Sequence, residues 1–191
     1  MPEEGAWETF FRPESTLDRL QLVDGIGNVV EFGCGYGTFT LPAARRSRGK
    51  VFALDIEPEM VAATVGRAER EGVTNVVAAE RDFVANGTGL PPASAEYAML
   101  FNILHAEQPL VLLAEAWRVL APGGLLGIMH WNYDGATPRG PSMDIRPRPE
   151  QCRDWAIAAG FELLPPGIVA LPPYHYGLVL QKPTAAGEFP Q

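Results

Sequence analysis

Val29-Val30-Glu31-Phe32-Gly33-Cys34-Gly35-Tyr36-Gly37 is a short apolar run that breaks into glycine at every second position. Such a run reads as a buried strand, and the glycines let the chain bend tightly before a helix over about 38–48, where Pro42 is tolerated near the first turn. Outward from this point the pattern repeats. Residues 51–54 form a second strand ending at Asp55, and Pro58 opens a helix with apolar positions Met60, Val61, Thr64, Val65 and Ala68, closed by Gly72. Residues 73–79 give a third strand leading to Arg81 and Asp82, and residues 97–101 a fourth. A helix over 109–120 carries Leu110, Leu113, Ala114, Trp117 and Leu120 on its expected inner face. Pro122-Gly123-Gly124 then predicts a sharp stop before a fifth strand, 125–130. A last helix over 150–159 precedes extended segments 161–171 and 174–181, which suit an antiparallel pair at a sheet edge. Strands alternating with helices predict an α/β doubly wound sheet, a Rossmann-like three-layer sandwich.

The 191 residues fit one domain, 1–191. Within it, residues 1–27 read as an N-terminal extension in which Phe10, Phe11, Leu17, Leu20 and Leu22 fold as a helix over the carboxyl edge of the sheet, capping the site there. Residues 132–149, with Pro138, Pro141, Pro147 and Pro149, read as a lid or substrate loop. The net charge of -8 opposes nucleic-acid binding. The basic cluster Arg45, Arg46, Arg48 and Lys50 reads as cations at the end of a helix. Cys34 and Cys152 cannot make a disulfide framework, and His105, His130 and His175 are too dispersed for a local metal motif, so no metal is expected. With no basic start, no apolar leader and no run of membrane-spanning length, the expected location is cytoplasmic.

The chemistry gathers at strand ends. A dinucleotide fingerprint wants Gly-x-Gly-x-x-Gly, but here the third glycine, Gly37, comes one residue early and Glu31 stands two residues before the first. An acid at this crevice suits a ligand with an ammonium end better than a diphosphate. Asp55 stands where ribose hydroxyls are bound. Asp82 could take an adenine amino group, with a turn or capping role as its alternative. Ile56, Met60 and Phe83 supply apolar faces.

Four motifs then occur in order. They are the glycine run, Arg81-Asp82-Phe83, Asn102-Ile103-Leu104-His105, and Glu115-Ala116-Trp117-Arg118-Val119-Leu120-Ala121-Pro122-Gly123-Gly124. Over about 29–128 the sequence resembles the class I S-adenosylmethionine-dependent methyltransferases, in the small-molecule, ubiquinone/menaquinone methyltransferase-like (type 11) branch. The resemblance implies a seven-stranded, mostly parallel sheet of order 3-2-1-4-5-7-6 with the last strand antiparallel. It implies S-adenosylmethionine as cofactor. Glu31 and the loop Gly33, Cys34, Gly35, Gly37 would hold its methionine part, Asp55 its ribose, Asp82 and Phe83 its adenine, and Asn102 would lie beside the sulfonium. Arg81 stands where the branch mostly has a small residue.

Methyl transfer from a sulfonium needs mainly orientation, so no catalytic triad is expected. His105 and His130 follow strands facing the crevice and are the candidate general bases, with a core role as the alternative. His105, Trp131, Tyr133 and Tyr174, with His175, offer surface for a small, partly apolar acceptor, and core packing is the alternative for Trp131 and Tyr174. The expected protein is a monomer or homodimer acting on a small molecule. A noncatalytic S-adenosylmethionine sensor or scaffold and a nicotinamide-dependent oxidoreductase are the competing functions; the latter lacks a Tyr-x-x-x-Lys pair.

Overall fold

The computed structural model describes residues 3–184; the ends of the expected domain, residues 1–2 and 185–191, lie outside the described residues. Strand β1 (Val29–Phe32) is buried throughout because it lies between two parallel neighbours, β2 (Val51–Asp55) and β4 (Ala95–Phe101). β3 (Val76–Glu80) forms one edge beyond β2, and β5 (Leu120–Trp131) continues the sheet beyond β4. β8 (His175–Gln181) then runs antiparallel to β5, and β6 (Glu162–Leu163) and β7 (Val169–Leu171) both pair with β8. The order is β3-β2-β1-β4-β5-β8-β6, with β7 also on β8. This is the expected 3-2-1-4-5-7-6 order with one refinement: the extended segment 161–171 is two short strands, so eight strands are present among the described residues.

Side chains alternate with the strand period of two. Val30, Phe32, Ala98 and Leu100 face a core shared with Leu112, Leu113, Ala116 and Ala156, whereas Val29, Tyr97, Met99 and Phe101 face one shared with Phe11, Leu17, Leu20, Phe39 and Ala43. Helices α5 (Phe83–Asn86), α6 (Pro109–Val119) and α7 (Pro149–Ala158) cover the first face. α1 (Glu4–Glu8), α2 (Pro13–Arg19) and α3 (Thr40–Arg46) cover the second. α4 (Pro58–Arg70) lies along β2 and β3. No helix among the described residues is long and apolar enough to cross a membrane.

Three expectations change in detail. The N-terminal segment makes two short helices, because Pro13 starts a new one after the bend at Arg12. The buried face of α6 is Leu112, Leu113, Ala116, Trp117 and Val119, while Leu110 is 52% exposed in the first turn. The helix lies between the sheet and α7, so it buries two adjoining stripes, and Trp117 meets Phe161 edge-on with ring centroids 5.0 Å apart. Pro122-Gly123-Gly124 does not end a helix before a new strand; β5 already begins at Leu120, and the register moves from Ala95↔Leu120 to Tyr97↔Leu125 across a bulge. Lys182 Nζ caps the end of α6 there, donating to the carbonyls of Trp117 and Leu120 at 2.8 and 2.7 Å.

The three arginines of the basic cluster are ion-paired, Arg45 with Glu71, Arg46 with Glu14 and Asp18, and Arg48 with Glu96. Arg118 is structural as well: it bonds Glu115, whose carboxylate accepts from the Thr88 backbone and hydroxyl.

Candidate cofactor site

The carboxyl ends of β1, β2 and β4 open into a cavity of about 220 Å³. Of the residues expected to bind cofactor, Glu31, Gly33, Cys34, Gly35, Asp55, Ile56, Phe83 and Asn102 line it. Gly37, Met60 and Asp82 do not. Gly37 is a close-contact glycine, since a Cβ there would meet Leu41 and Thr64 at 3.0 and 3.2 Å while φ is +75°. Met60 lies half-buried on α4. Asp82 caps α5, its Oδ1 accepting from the Ala85 N–H at 2.9 Å. Arg81 donates to the carbonyls of Gly87 and Asn86, which ties down the loop after α5 without entering the cavity.

The glycine loop turns its donors inward. Gly33 and Cys34 N–H both bond the Leu54 carbonyl (2.8 and 2.9 Å), and the Gly37 N–H bonds the Cys34 carbonyl (2.9 Å). The Gly35 N–H donates to Asp55 Oδ2 at 2.9 Å, and Asp55 Oδ1 accepts from Glu57 N–H at 3.1 Å. A pyrophosphate cradle needs such N–H groups aimed at the ligand. Here they hold the end of β2 to the loop and fix the Asp55 carboxylate beside it.

Glu31 is 2% exposed, and the strand period places its side chain on the α3 face, where the Thr40 hydroxyl donates to it. Burial raises its pKa from 4.5 to about 8; the Thr40 bond opposes the rise and the nearby Asp55 charge adds to it. No Lys, Arg or His forms an ion pair with Glu31 among the described residues. Two more buried polar atoms of lining residues, Thr38 Oγ1 and Asn102 Oδ1, lack a hydrogen-bond partner. A buried carboxyl group that stays protonated without a cation beside it, and two unpartnered polar oxygens, suit a polar, cationic ligand, because each is costly to leave unmatched. Phe83, Ile56 and Ile103 give the same cavity apolar walls, with Phe83 edge-on to Phe32 at 5.4 Å. The Cys34 thiol is pushed up to about 12, mainly by burial and then by Glu31, so it is no nucleophile at neutral pH.

Trp7 and Phe11 from the N-terminal segment also line the cavity. Phe11 stacks on His175 (4.8 Å) and meets Phe39 edge-on (5.4 Å), and Arg67 on α4 pairs with Glu4 and Glu8 of α1. Asn102, at φ +56°, donates its backbone N–H to the Met129 carbonyl (2.7 Å) and its amide to His175 Nε2 (3.4 Å).

A second cavity of about 440 Å³ lies beyond the turn that follows β4. His105 and Tyr133, two of the expected acceptor residues, line it, with Arg148 stacked 3.8 Å over the Tyr133 ring. Trp131 and Tyr174 do not. Trp131 is 2% exposed and packs against Phe10, Phe11 and His175, while Tyr174 packs against Phe10. His175, between Phe11 and Trp131, is also core; burial depresses its pKa to about 3. The segment 132–149 walls this cavity and is held from within by Arg146. Its guanidinium donates to the carbonyls of Asn132, Asp134, Arg139 and Pro141.

Trp7, Thr38, Phe39, Thr40, Phe101, Ile103 and Arg146 are not singled out by sequence pattern. The hydroxyls immediately after Gly37 were a usable signal for a buried Glu31; Arg146, in a segment without periodicity, offered none.

Comparison with known proteins agrees with this geometry. Residues 29–124, just over half of the chain, match a family model described as a methyltransferase domain. The chain belongs to this family of methyltransferase domains. A ribosomal protein L11 methyltransferase from Alkalilimnicola ehrlichii is 32% identical over 149 residues, 74% of this chain and 48% of that protein. The chain spans less than half the length of such curated relatives. Among solved structures, a SAM-dependent methyltransferase from Aquifex aeolicus superposes with a TM-score of 0.81 at 23% identity, covering 94% of each chain. The [4+2]-cyclase SpnF superposes with a TM-score of 0.76 at 20% identity, covering 91% of this chain and 80% of that one.

Proposed function

We propose that this protein transfers the methyl group of S-adenosylmethionine to a small-molecule acceptor in the cytoplasm. One observation carries the cofactor half of the reading: a buried carboxyl group, Glu31, without a cationic partner stands at a glycine loop whose donors are spent inside the protein. An α-ammonium matches that carboxylate, and a diphosphate would find no free N–H groups of Gly33, Cys34, Gly35 or Gly37. Glu31, Thr38 and Asn102 hold the methionine end, Asp55 the ribose hydroxyls, and Phe83, Ile56 and Ile103 the adenosine. The cofactor brings a methyl group already activated on sulfur, so the protein's part is to orient it and exclude water. Trp7 and Phe11 provide the exclusion, with the α1 segment capping the crevice.

The acceptor sits in the second cavity, under the 132–149 segment. Two features support this placement: one turn after β4 gives Asn102 and Ile103 to the first cavity and Leu104 and His105 to the second, and the 440 Å³ volume suits a small molecule. Curated relatives named for ribosomal protein L11 raise a protein acceptor as the contrast, but this chain covers under half of them. The second reading, in which the cofactor is held by the same residues and no methyl leaves, is the noncatalytic alternative.

Calorimetric titration with S-adenosylmethionine, S-adenosylhomocysteine and NAD tests the cofactor assignment. The first two bind and NAD does not; binding of NAD alone refutes the reading. An acceptor screen that follows S-adenosylhomocysteine release separates methyl transfer from the second reading.

A further inference from the structure

His105 Nδ1 lies 3.3 Å from His130 Nε2, with the rings edge-on and their centroids 5.4 Å apart. The two differ in access. His130 is fully buried and lines neither cavity, and its other ring nitrogen, Nδ1, has no hydrogen-bond partner. His105 borders the 440 Å³ cavity one turn from Asn102, so only it can touch an acceptor.

We propose that the two histidines act as a coupled pair: His130 Nε2 accepts a hydrogen bond from the Nδ1–H of His105, leaving His105 Nε2 to take the proton of a hydroxyl acceptor in the second cavity. His105 is then the catalytic residue and His130 a positioning residue. The inference rests on the methyl-transfer reading and adds the acceptor class, an O–H compound. In the balanced step the acceptor oxygen gains the methyl group, and the departing thioether keeps the electron pair of the broken carbon–sulfur bond. The hydroxyl proton ends on His105 Nε2.

The surroundings keep His130 neutral. Burial, then His105, pushes its pKa down to about 3, with smaller contributions from His175 and Arg146 and against the Trp131 backbone, which favours the protonated ring. Tyr176 lies parallel to its ring at 6.3 Å, and burial pushes that phenol up, so it stays neutral as well. A neutral imidazole orients and accepts, whereas a charged one would repel an imidazolium at His105. Burial also lowers the His105 pKa, opposed by the Asn102 backbone, which favours the protonated ring, so the ring is unprotonated and receptive at neutral pH. Glu107, Asp144 and Arg148 border the cavity and share its field. The unpartnered His130 Nδ1 is the cost of this arrangement, of the kind tolerated where a group has work to do.

Ring 15N spectra of histidine-labelled full-length protein across neutral pH test the pair without any acceptor. Neutral His105 is expected to carry its proton on Nδ1. In His130→Ala that preference is lost and the His105 midpoint falls by roughly half to one pH unit, while His130→Gln, which can accept the same proton, restores both. A neutral His105 with its proton on Nε2 overturns the proposal, as does a His130→Ala spectrum unchanged at His105. If His130→Ala does not fold, the wild-type tautomer decides. Titrating the wild-type protein with S-adenosylmethionine separates the two levels: failure there removes the methyl-transfer reading, whereas a wrong tautomer with intact binding removes only the histidine pair.

Discussion

The two cavities are built by different means. The smaller one is framed by strand ends and backbone: Glu31, Asp55 and Asn102 each stand at the end of a strand, and loop N–H groups bind the Leu54 carbonyl and the Asp55 carboxylate. The larger one is walled by the β4 turn, the 132–149 segment and the start of α7, with one buried guanidinium gathering four carbonyls. The first is fixed by the sheet itself and the second by side chains on connecting chain. A sheet can therefore keep one cofactor geometry while the connecting segment is free to fit another acceptor.

The largest expected break in this contrast is Phe11→Ala. Phe11 is 8% exposed and touches Phe39, Trp131 and His175, so truncation costs about 3 kcal/mol or more of stability in chemical unfolding. It should also loosen the cofactor cavity while leaving the Arg148–Tyr133 stack of the other in place. Asp55→Ala comes next. Losing a charged partner weakens S-adenosylmethionine binding by about 1 to 3 kcal/mol, roughly fivefold to 150-fold, measured by calorimetry. An unchanged affinity would separate Asp55 from the ligand and leave it a loop tie alone. Arg146→Met sharpens the contrast with the smallest effect on cofactor. Affinity for S-adenosylmethionine should change by less than about twofold, while limited proteolysis within 132–149 speeds up as four carbonyls lose their donor.

The same difference explains what the sequence disclosed. Glu31, the glycines and Asp55 were legible because strand periodicity and glycine spacing place them without knowledge of any tertiary contact. The role of Asp82 as a cap, the burial of Trp131 and His175, and the rotated face of α6 depend on which neighbour arrives: the N-terminal aromatics for the pair on β5 and β8, and α7 for α6. Arg146 was silent because an arginine bonding carbonyls leaves no pattern in sequence. Of the two candidate bases, sequence could not tell the one at a cavity from the one sealed behind it.

Glu31 also makes stability depend on pH. Its folded pKa of about 8 lies above the ordinary 4.5, so the folded protein holds a proton that the unfolded chain releases between these values. The associated stability is present below about pH 4.5 and is lost as pH rises toward 8; in Glu31→Gln that slope should be absent. An ammonium ligand favours the ionised carboxylate, so its binding near pH 7 must expel that proton. Calorimetry of S-adenosylmethionine binding in two buffers of different ionisation enthalpy measures this directly. Release of most of one proton is expected in the wild-type protein and none in Glu31→Gln. Binding without proton release, or equal release in both proteins, would contradict it.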